Sequence, residues 1–85
     1  MNILIAYDKE TYIIKSFIAN DYSTLADAEE IFQNFPECDT GISFDNSLDL
    51  PNLLKYKVVE INESTREIIK IDLLDVLDEI QIENI

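Results

Sequence analysis

Hydrophobic and polar positions at the start of the chain predict a β-hairpin. Residues 2–7 form an apolar run, residues 8–11 are polar, and residues 12–18 are again rich in β-branched and aromatic side chains. Two short runs of this kind separated by a few polar residues are typical of paired antiparallel strands.

A second hairpin is predicted from residues 55–61 and 66–71, which flank the polar residues 62–65. The two hairpins resemble each other, because residues 8–15 align with residues 62–70 if one residue is inserted. Convergent hairpin chemistry and an internal duplication both account for this similarity.

Between the hairpins, apolar residues recur at the spacing of an amphipathic helix. Residues 23–24 offer a Ser or Thr as N-cap, and Asp27 and Glu30 lie in the opening turns, where the helix dipole favours anions. Pro36 is expected to stop the helix. The apolar positions are Leu25, Ala28, Phe32 and Phe35.

Residues 37–54 contain Gly41, Pro51 and several Asp, Asn and Ser residues, so we expect mostly loop with a short strand at residues 42–44.

The C-terminal residues combine apolar and acidic positions in a helical pattern. The apolar stripe is Leu73, Val76, Leu77 and Ile80. The acidic positions on the other side are Asp72, Asp75 and Glu79. Residues 81–85 alternate and fit a strand equally well.

Together these elements predict a single α+β domain over residues 1–85, in the order β-β-α-loop-β-β-α. Such an order fits a four-stranded, mainly antiparallel sheet with helices packed on one face. A chain of 85 residues buries a modest share of its surface, so a homodimer is one expected source of additional burial.

The chemistry of the chain argues against an enzyme. It contains no His, one Cys and one Gly, which leaves no imidazole base, ordinary zinc site or glycine-rich phosphate loop. Residues 39–41 spell the Asp-Thr-Gly of aspartic proteases, but they follow a predicted helix and not an apolar strand. We therefore expect no catalytic residues, no cofactor and no metal.

The first residues lack a basic segment and are too short an apolar run for a signal peptide or membrane span. With a single cysteine, Cys38, no intramolecular disulfide is possible. Both features predict a cytoplasmic protein that does not bind a membrane.

Charge is distributed unevenly along the chain, whose net charge is −12. All Lys and Arg residues lie in the two predicted hairpins. Residues 16–54, which we call the acidic segment, contain no cation. Their carboxylates are Asp21, Asp27, Glu29, Glu30, Glu37, Asp39, Asp45 and Asp49.

Such a field repels nucleic acid and attracts basic surfaces. One hypothesis is a non-enzymatic, anti-CRISPR-like inhibitor that presents carboxylates to the basic groove of a nucleic-acid-binding host factor, such as a defence nuclease. The other interpretation is a solvated surface that keeps the protein soluble. The candidate contact residues are Asp27, Glu29, Glu30, Asp72, Asp75 and Glu79.

Residues 3–11 and 53–59 resemble small accessory proteins encoded among phage tail genes of Gram-positive bacteria. The resemblance covers at most about a quarter of the chain and transfers no site residues. It implies a phage or prophage origin, with the host cytoplasm as location. It also motivates the alternative function, a tail or assembly protein, with the virion as location, that docks through the stripe Leu73, Val76, Leu77 and Ile80.

Overall fold

The computed structural model describes residues 1–74, which form an α+β fold with two antiparallel sheets. The strands are β1 (Asn2–Asp8), β2 (Ile14–Asn20), β3 (Cys38–Ser43), β4 (Tyr56–Ile61) and β5 (Ile68–Leu73), and the helices are α1 (Leu25–Ile31) and a 3₁₀ helix (Leu50–Lys55). No helix within residues 1–74 has the length and apolar character needed to cross a membrane.

Strand β1 lies at the centre of the fold, because both of its faces are covered. It pairs antiparallel with β2 on one edge and with β3 on the other. Every side chain from Ile3 to Tyr7 is at most 3 % exposed. Burial on both faces explains why this strand reads as a continuous apolar run and not as an alternating one.

The two faces of β1 belong to two separate clusters of buried side chains. Ile3, Ile5 and Tyr7 pack with residues of the β4–β5 hairpin and the 3₁₀ helix, including Val58 and Leu53. On the opposite face the cluster belongs to α1 and β3, and its members are Leu4, Ala6, Ala28, Phe32, Cys38 and Ile42. Helix α1 and the β4–β5 hairpin therefore lie on opposite faces of the three-stranded sheet.

Both predicted hairpins are confirmed, and their turns have the same geometry. The carbonyl oxygen of Asp8 accepts from the amide of Tyr12 at 2.8 Å, and that of Asn62 accepts from the amide of Arg66 at 2.7 Å. Tyr12 and Arg66 both adopt the left-handed conformation, with φ of 64° and 61°. This matching geometry extends the similarity of the two sequences to their backbones.

The strand pairing next to each turn is also equivalent. In the first hairpin the pairs are Ala6 with Ser16 and Tyr7 with Ile14, and in the second Glu60 with Lys70 and Ile61 with Ile68. One residue bulges out in each case, namely Lys15 and Ile69. The structural alignment runs without a gap from Asp8 onto Asn62, so the inserted residue expected from sequence is wrong.

The predicted single four-stranded sheet is wrong. Strands β1, β2 and β3 form one sheet, and β4 and β5 form a second. The two sheets are joined at single bridges, of which one links Ile13 to Lys57 and another links Ile42 to Glu67. The second hairpin packs its apolar face onto the first sheet and does not extend its edge, because the odd-numbered side of β1 needs a cover.

The middle of the chain is more regular than predicted. β3 spans Cys38–Ser43, whereas the sequence predicted only residues 42–44 as a strand within a loop. Helix α1 ends at Ile31, before the expected stop at Pro36, and the chain then turns through a hydrogen bond from Phe35 N to Phe32 O.

The predicted C-terminal helix does not begin at Asp72 or Leu73. Both residues belong to β5, where Asp72 pairs with Lys57 and Leu73 with Tyr56. The apolar residues at helical spacing begin with Leu73, which is the last residue of β5. This strand pairs with β4, the preceding strand of the same hairpin. Asp75, Val76, Leu77, Glu79 and Ile80 lie outside the described residues.

Candidate protein-binding face

Helix α1 owes its start to a capping box. The Thr24 hydroxyl accepts from the amide of Asp27 at 3.4 Å, and the Asp27 carboxylate accepts from the amide of Thr24 at 2.8 Å. This reciprocal pair satisfies amide groups that have no partner within the helix. Asp27, predicted as a partner contact, is therefore engaged in holding the helix.

The remaining side chains of α1 divide into a buried side and an exposed side. Ala28 is fully buried under the sheet, and Phe32, which caps the C-terminal end, is 5 % exposed. Glu29 and Glu30 are exposed. These two of the six predicted contact residues are neighbours on one element and project into solvent.

A cleft of about 290 Å³ lies beside Glu29, between α1 and β3. Phe32, Phe35 and Pro36 give it apolar walls, and Asp39 adds a second carboxylate. The two Phe rings meet edge to face, with centroids 6.1 Å apart. The complete lining is Glu29, Phe32, Gln33, Phe35, Pro36, Cys38, Asp39, Thr40 and Arg66.

Arg66 reaches this cleft from the turn of the second hairpin. A terminal guanidinium nitrogen donates to the Thr40 carbonyl oxygen at 2.5 Å and lies 3.4 Å from the Tyr7 hydroxyl. These contacts tie the turn to β1 and β3. The only arginine of the chain therefore serves the packing of the two sheets and forms one border of the cleft.

The ionisable groups buried next to the cleft are kept neutral. Burial raises the pKa of Tyr7, and the nearby positive charge of Arg66 opposes this rise. Burial also raises the pKa of the Cys38 thiol, and the negative charge of Glu37 adds to the effect. A thiol with a raised pKa forms less of the reactive thiolate, and Cys38 packs in the buried cluster beneath α1.

The structure does not gather the predicted contact residues on one surface. Asp72 lies on β5, in the layer opposite α1, and its carboxylate is 3.9 Å from the ammonium group of Lys70. Leu73 of the predicted docking stripe lies on the same strand and is 61 % exposed. Asp75 and Glu79 fall outside the described residues, which leaves Glu29 and Glu30 as the exposed acidic pair next to the cleft.

Sequence reasoning missed the contributions of Asp39, Phe35 and Arg66 to the cleft. The sequence pattern predicts a loop at Asp39 and places Phe35 on the apolar side of a helix. A signal for Arg66 was present, since it is the single arginine and occupies the position equivalent to Tyr12 in the other hairpin. Its contact with Thr40, however, depends on the packing of one sheet over the other.

Comparison with protein-family models, curated proteins and solved structures finds no match for this chain.

Proposed function

We propose that this protein is a non-enzymatic inhibitor that binds a basic surface of another protein through the exposed face of α1. Glu29 and Glu30 make the central contacts, and the cleft beside them takes an apolar or long basic side chain of the partner. The partner is a nucleic-acid-binding protein of the host cytoplasm, whose phosphate-binding groove is occupied by carboxylates.

The observation that carries this proposal is the exposure of Glu29 and Glu30 within the acidic segment, which contains eight carboxylates and no Lys or Arg. A lysine or arginine of the partner therefore meets no competing cation from that segment. Arg66 enters the cleft from another part of the chain, and its guanidinium group already donates to Thr40.

The cleft adds what a simple solvated acidic surface lacks. Phe32, Phe35 and Pro36 supply apolar area directly beside the Glu29 carboxylate. The stem of a lysine or arginine packs favourably on apolar surface while its charged end meets a carboxylate. Apolar contact with a charged border is the usual composition of an interface that binds with specificity.

The test is capture of proteins from bacterial lysate by the immobilised chain, followed by DNA-binding measurements on whatever is captured. The wild type should release its partner with rising salt and inhibit the partner's binding to DNA. E29K/E30K should weaken capture by about tenfold or more, because two attractive contacts become repulsive.

The matched control is E10K/E60K, which makes the same change in net charge on exposed hairpin residues. It should keep most of the binding. An equal loss of capture in both variants would show that net charge alone determines binding and would contradict the proposal. Capture that is indifferent to salt and to E29K/E30K would also contradict it.

The alternative function, docking of a tail or assembly protein, has one feature in its favour. Leu73 and Ile69 on β5 are 61 % and 52 % exposed. Leu73 is a member of the predicted stripe, and in the structure it lies on a strand together with Ile69.

A further inference from the structure

Within residues 1–74, the edge of β5 away from β4 is bridged to β3 next to the start of the strand, between Ile42 and Glu67, and no strand pairs with it from Lys70 to Leu73. The pairing partner of β5 on the other edge is β4. The amide of Leu74 donates to Lys55 O at 2.8 Å, and peptide groups of a strand alternate between its two edges. The peptide groups of Asp72 therefore also point toward β4, whereas those of Ile71 and Leu73 point toward the uncovered edge.

This edge is accessible and exposes both apolar and charged side chains. Leu73 is 61 % and Ile69 is 52 % exposed, and Ile71 is half-buried. A cleft of about 160 Å³ runs beside the strand, lined by residues 68–71 on one side and by Ser43, Asp45 and Leu48 on the other. Proteins usually protect such an edge with charge, proline or a covering element, since it templates pairing with another strand.

The local charge permits a second copy to approach at this edge. Residues 55–74 are electrically balanced, and their charged members are Lys55, Lys57, Glu60, Glu63, Arg66, Glu67, Lys70 and Asp72. The acidic helix α1 lies on the opposite face of the first sheet. Two chains that meet at β5 therefore join hairpins without net charge, beside which Asp45 lines the cleft, and Glu29 and Glu30 belong to the layer opposite β5.

We propose that β5 pairs antiparallel with β5 of a second copy, with Ile71 on the two-fold axis. The outward-pointing peptide groups of Ile71 then bond to those of the partner's Ile71, whereas Leu73 lies opposite the partner's Ile69, the residue that bulges out of the β4–β5 pairing. This register places Lys70 opposite the partner's Asp72, and Asp72 opposite the partner's Lys70. Opposite charges that face each other across a strand pair are stabilising.

The neighbouring symmetric register is disfavoured by the same side chains. With Asp72 on the axis, Asp72 would face the partner's Asp72, and like charges directly opposite are destabilising. The sequence Lys70-Ile71-Asp72 is thus self-complementary in one register. A closed two-fold dimer also consumes the β5 edge of both copies.

The experiment is sedimentation of the full chain over a range of concentrations, with three charge variants. The wild type should show a monomer–dimer equilibrium. K70D alone and D72K alone should each raise the dimer dissociation constant by about tenfold or more, because each places like charges at both cross-strand positions. The swap K70D/D72K should restore association to near the wild-type value.

The decisive sample is an equimolar mixture of K70D and D72K. In the proposed register the mixed dimer has opposite charges at both positions, so it should form although neither variant self-associates. Failure of a variant to fold cannot produce this recovery, and circular dichroism of each variant checks the fold directly. A wild type that stays monomeric at all concentrations, or a mixture that does not associate, overturns the proposal. The result is independent of the binding face on α1.

Discussion

Asp8 and Asn62 perform the same task in the two hairpin turns with different chemistry. The Asp8 carboxylate accepts from the amides of Glu10 and Thr11 at 2.8 and 2.9 Å. The Asn62 side-chain oxygen accepts from the equivalent amides of Ser64 and Thr65 at 2.9 and 3.2 Å. The hydrogen bond from Thr11 is the main reason that the pKa of Asp8 lies below its ordinary value. The first turn is therefore sensitive to acid through Asp8, whereas the second turn has no titratable group at the equivalent residue, Asn62.

A first prediction concerns this difference. Because the folded-state pKa of Asp8 is lowered, its stabilisation is complete above the unfolded pKa and is lost as the pH falls below about 4. D8N keeps an acceptor oxygen, so it should retain stability at low pH and show a weaker pH dependence than wild type. D8A should cost about 1 kcal/mol at neutral pH. Urea unfolding between acidic and neutral pH measures both effects.

The control is N62D in the second turn, which should introduce the acid sensitivity that D8N removes. If D8N and wild type lose stability in parallel on acidification, the carboxylate of Asp8 is not the group responsible.

A second prediction concerns Gly41, where β3 approaches the second hairpin. A Cβ atom at this position would lie 2.8 and 2.9 Å from the Ile68 side chain and 3.1 Å from Arg66 O. These distances are too short for carbon atoms, so G41A should destabilise the protein by about 1–3 kcal/mol despite the better strand propensity of alanine. Urea unfolding measures the loss.

A double-mutant cycle with I68A separates this clash from other causes. Shortening Ile68 opens the space that the new methyl group needs, so the two changes together should cost less than their sum. Simple additivity would contradict the clash with Ile68.

At the scale of elements, α1 depends on its first turn, since a helix of seven residues forms few internal hydrogen bonds. A third prediction is that T24A and D27A each lower the free energy of unfolding by about 1 kcal/mol. Their effects should overlap, because each removes one half of the same capping box. E30A, on the exposed side of the same helix, should change stability by less than about 0.5 kcal/mol.

The same variants separate folding from binding. D27A should lower the free energy of unfolding without a specific loss of partner capture. E29K/E30K should reduce partner capture without lowering the free energy of unfolding. Denaturation and capture measured on the same preparations check both. A D27A variant that is as stable as wild type but does not bind would show that Asp27 contacts the partner directly.

The elements that the sequence predicts well are those whose structure is set by near neighbours. Both hairpins and the N-cap at Thr24 depend on residues within a few positions, such as the turn oxygens of Asp8 and Asn62. The sequence predicts only the end of strand β3, because Asp39 and Gly41 have low strand propensity. The strand forms because β1 offers it a pairing edge.

The arrangement of elements was harder to predict for a physical reason. Four strands in two hairpins can pair edge to edge or stack face to face, and local patterns do not distinguish these outcomes. The uninterrupted apolar residues of β1 indicate a strand that is buried on both faces and therefore covered on each side. Asp72 and Leu73 fit a helical pattern in sequence but pair with Lys57 and Tyr56 in the fold.

At the scale of the whole molecule, the layers separate charge from apolar surface. α1 exposes Glu29 and Glu30 on one side of the first sheet, and β5 exposes Leu73 on the other. If both proposals hold, the two-fold axis of the β5–β5 pair is perpendicular to the second sheet, so the two acidic faces lie on the same side of the dimer. Such a molecule would bind two basic sites at once, and linked sites gain affinity through effective concentration.

The last prediction follows from the net charge of −12. Self-repulsion destabilises a compact acidic chain, and salt screens it. Raising NaCl from about 0.01 to about 0.15 M shortens the Debye length from about 30 to about 8 Å, so the unfolding temperature should rise. E29Q/E30Q should unfold at a higher temperature in low salt and respond less to NaCl.

The matched control is K9Q/K15Q, which removes two cations and should enlarge the salt response. Thermal unfolding followed by circular dichroism at a fixed low protein concentration measures all three proteins without a contribution from dimer formation. An unfolding temperature that falls with NaCl would show that attractive ion pairs outweigh repulsion. Because residues 16–54 carry no cation to form such pairs within the segment, we expect repulsion to dominate and the order of salt responses to be E29Q/E30Q, wild type, K9Q/K15Q.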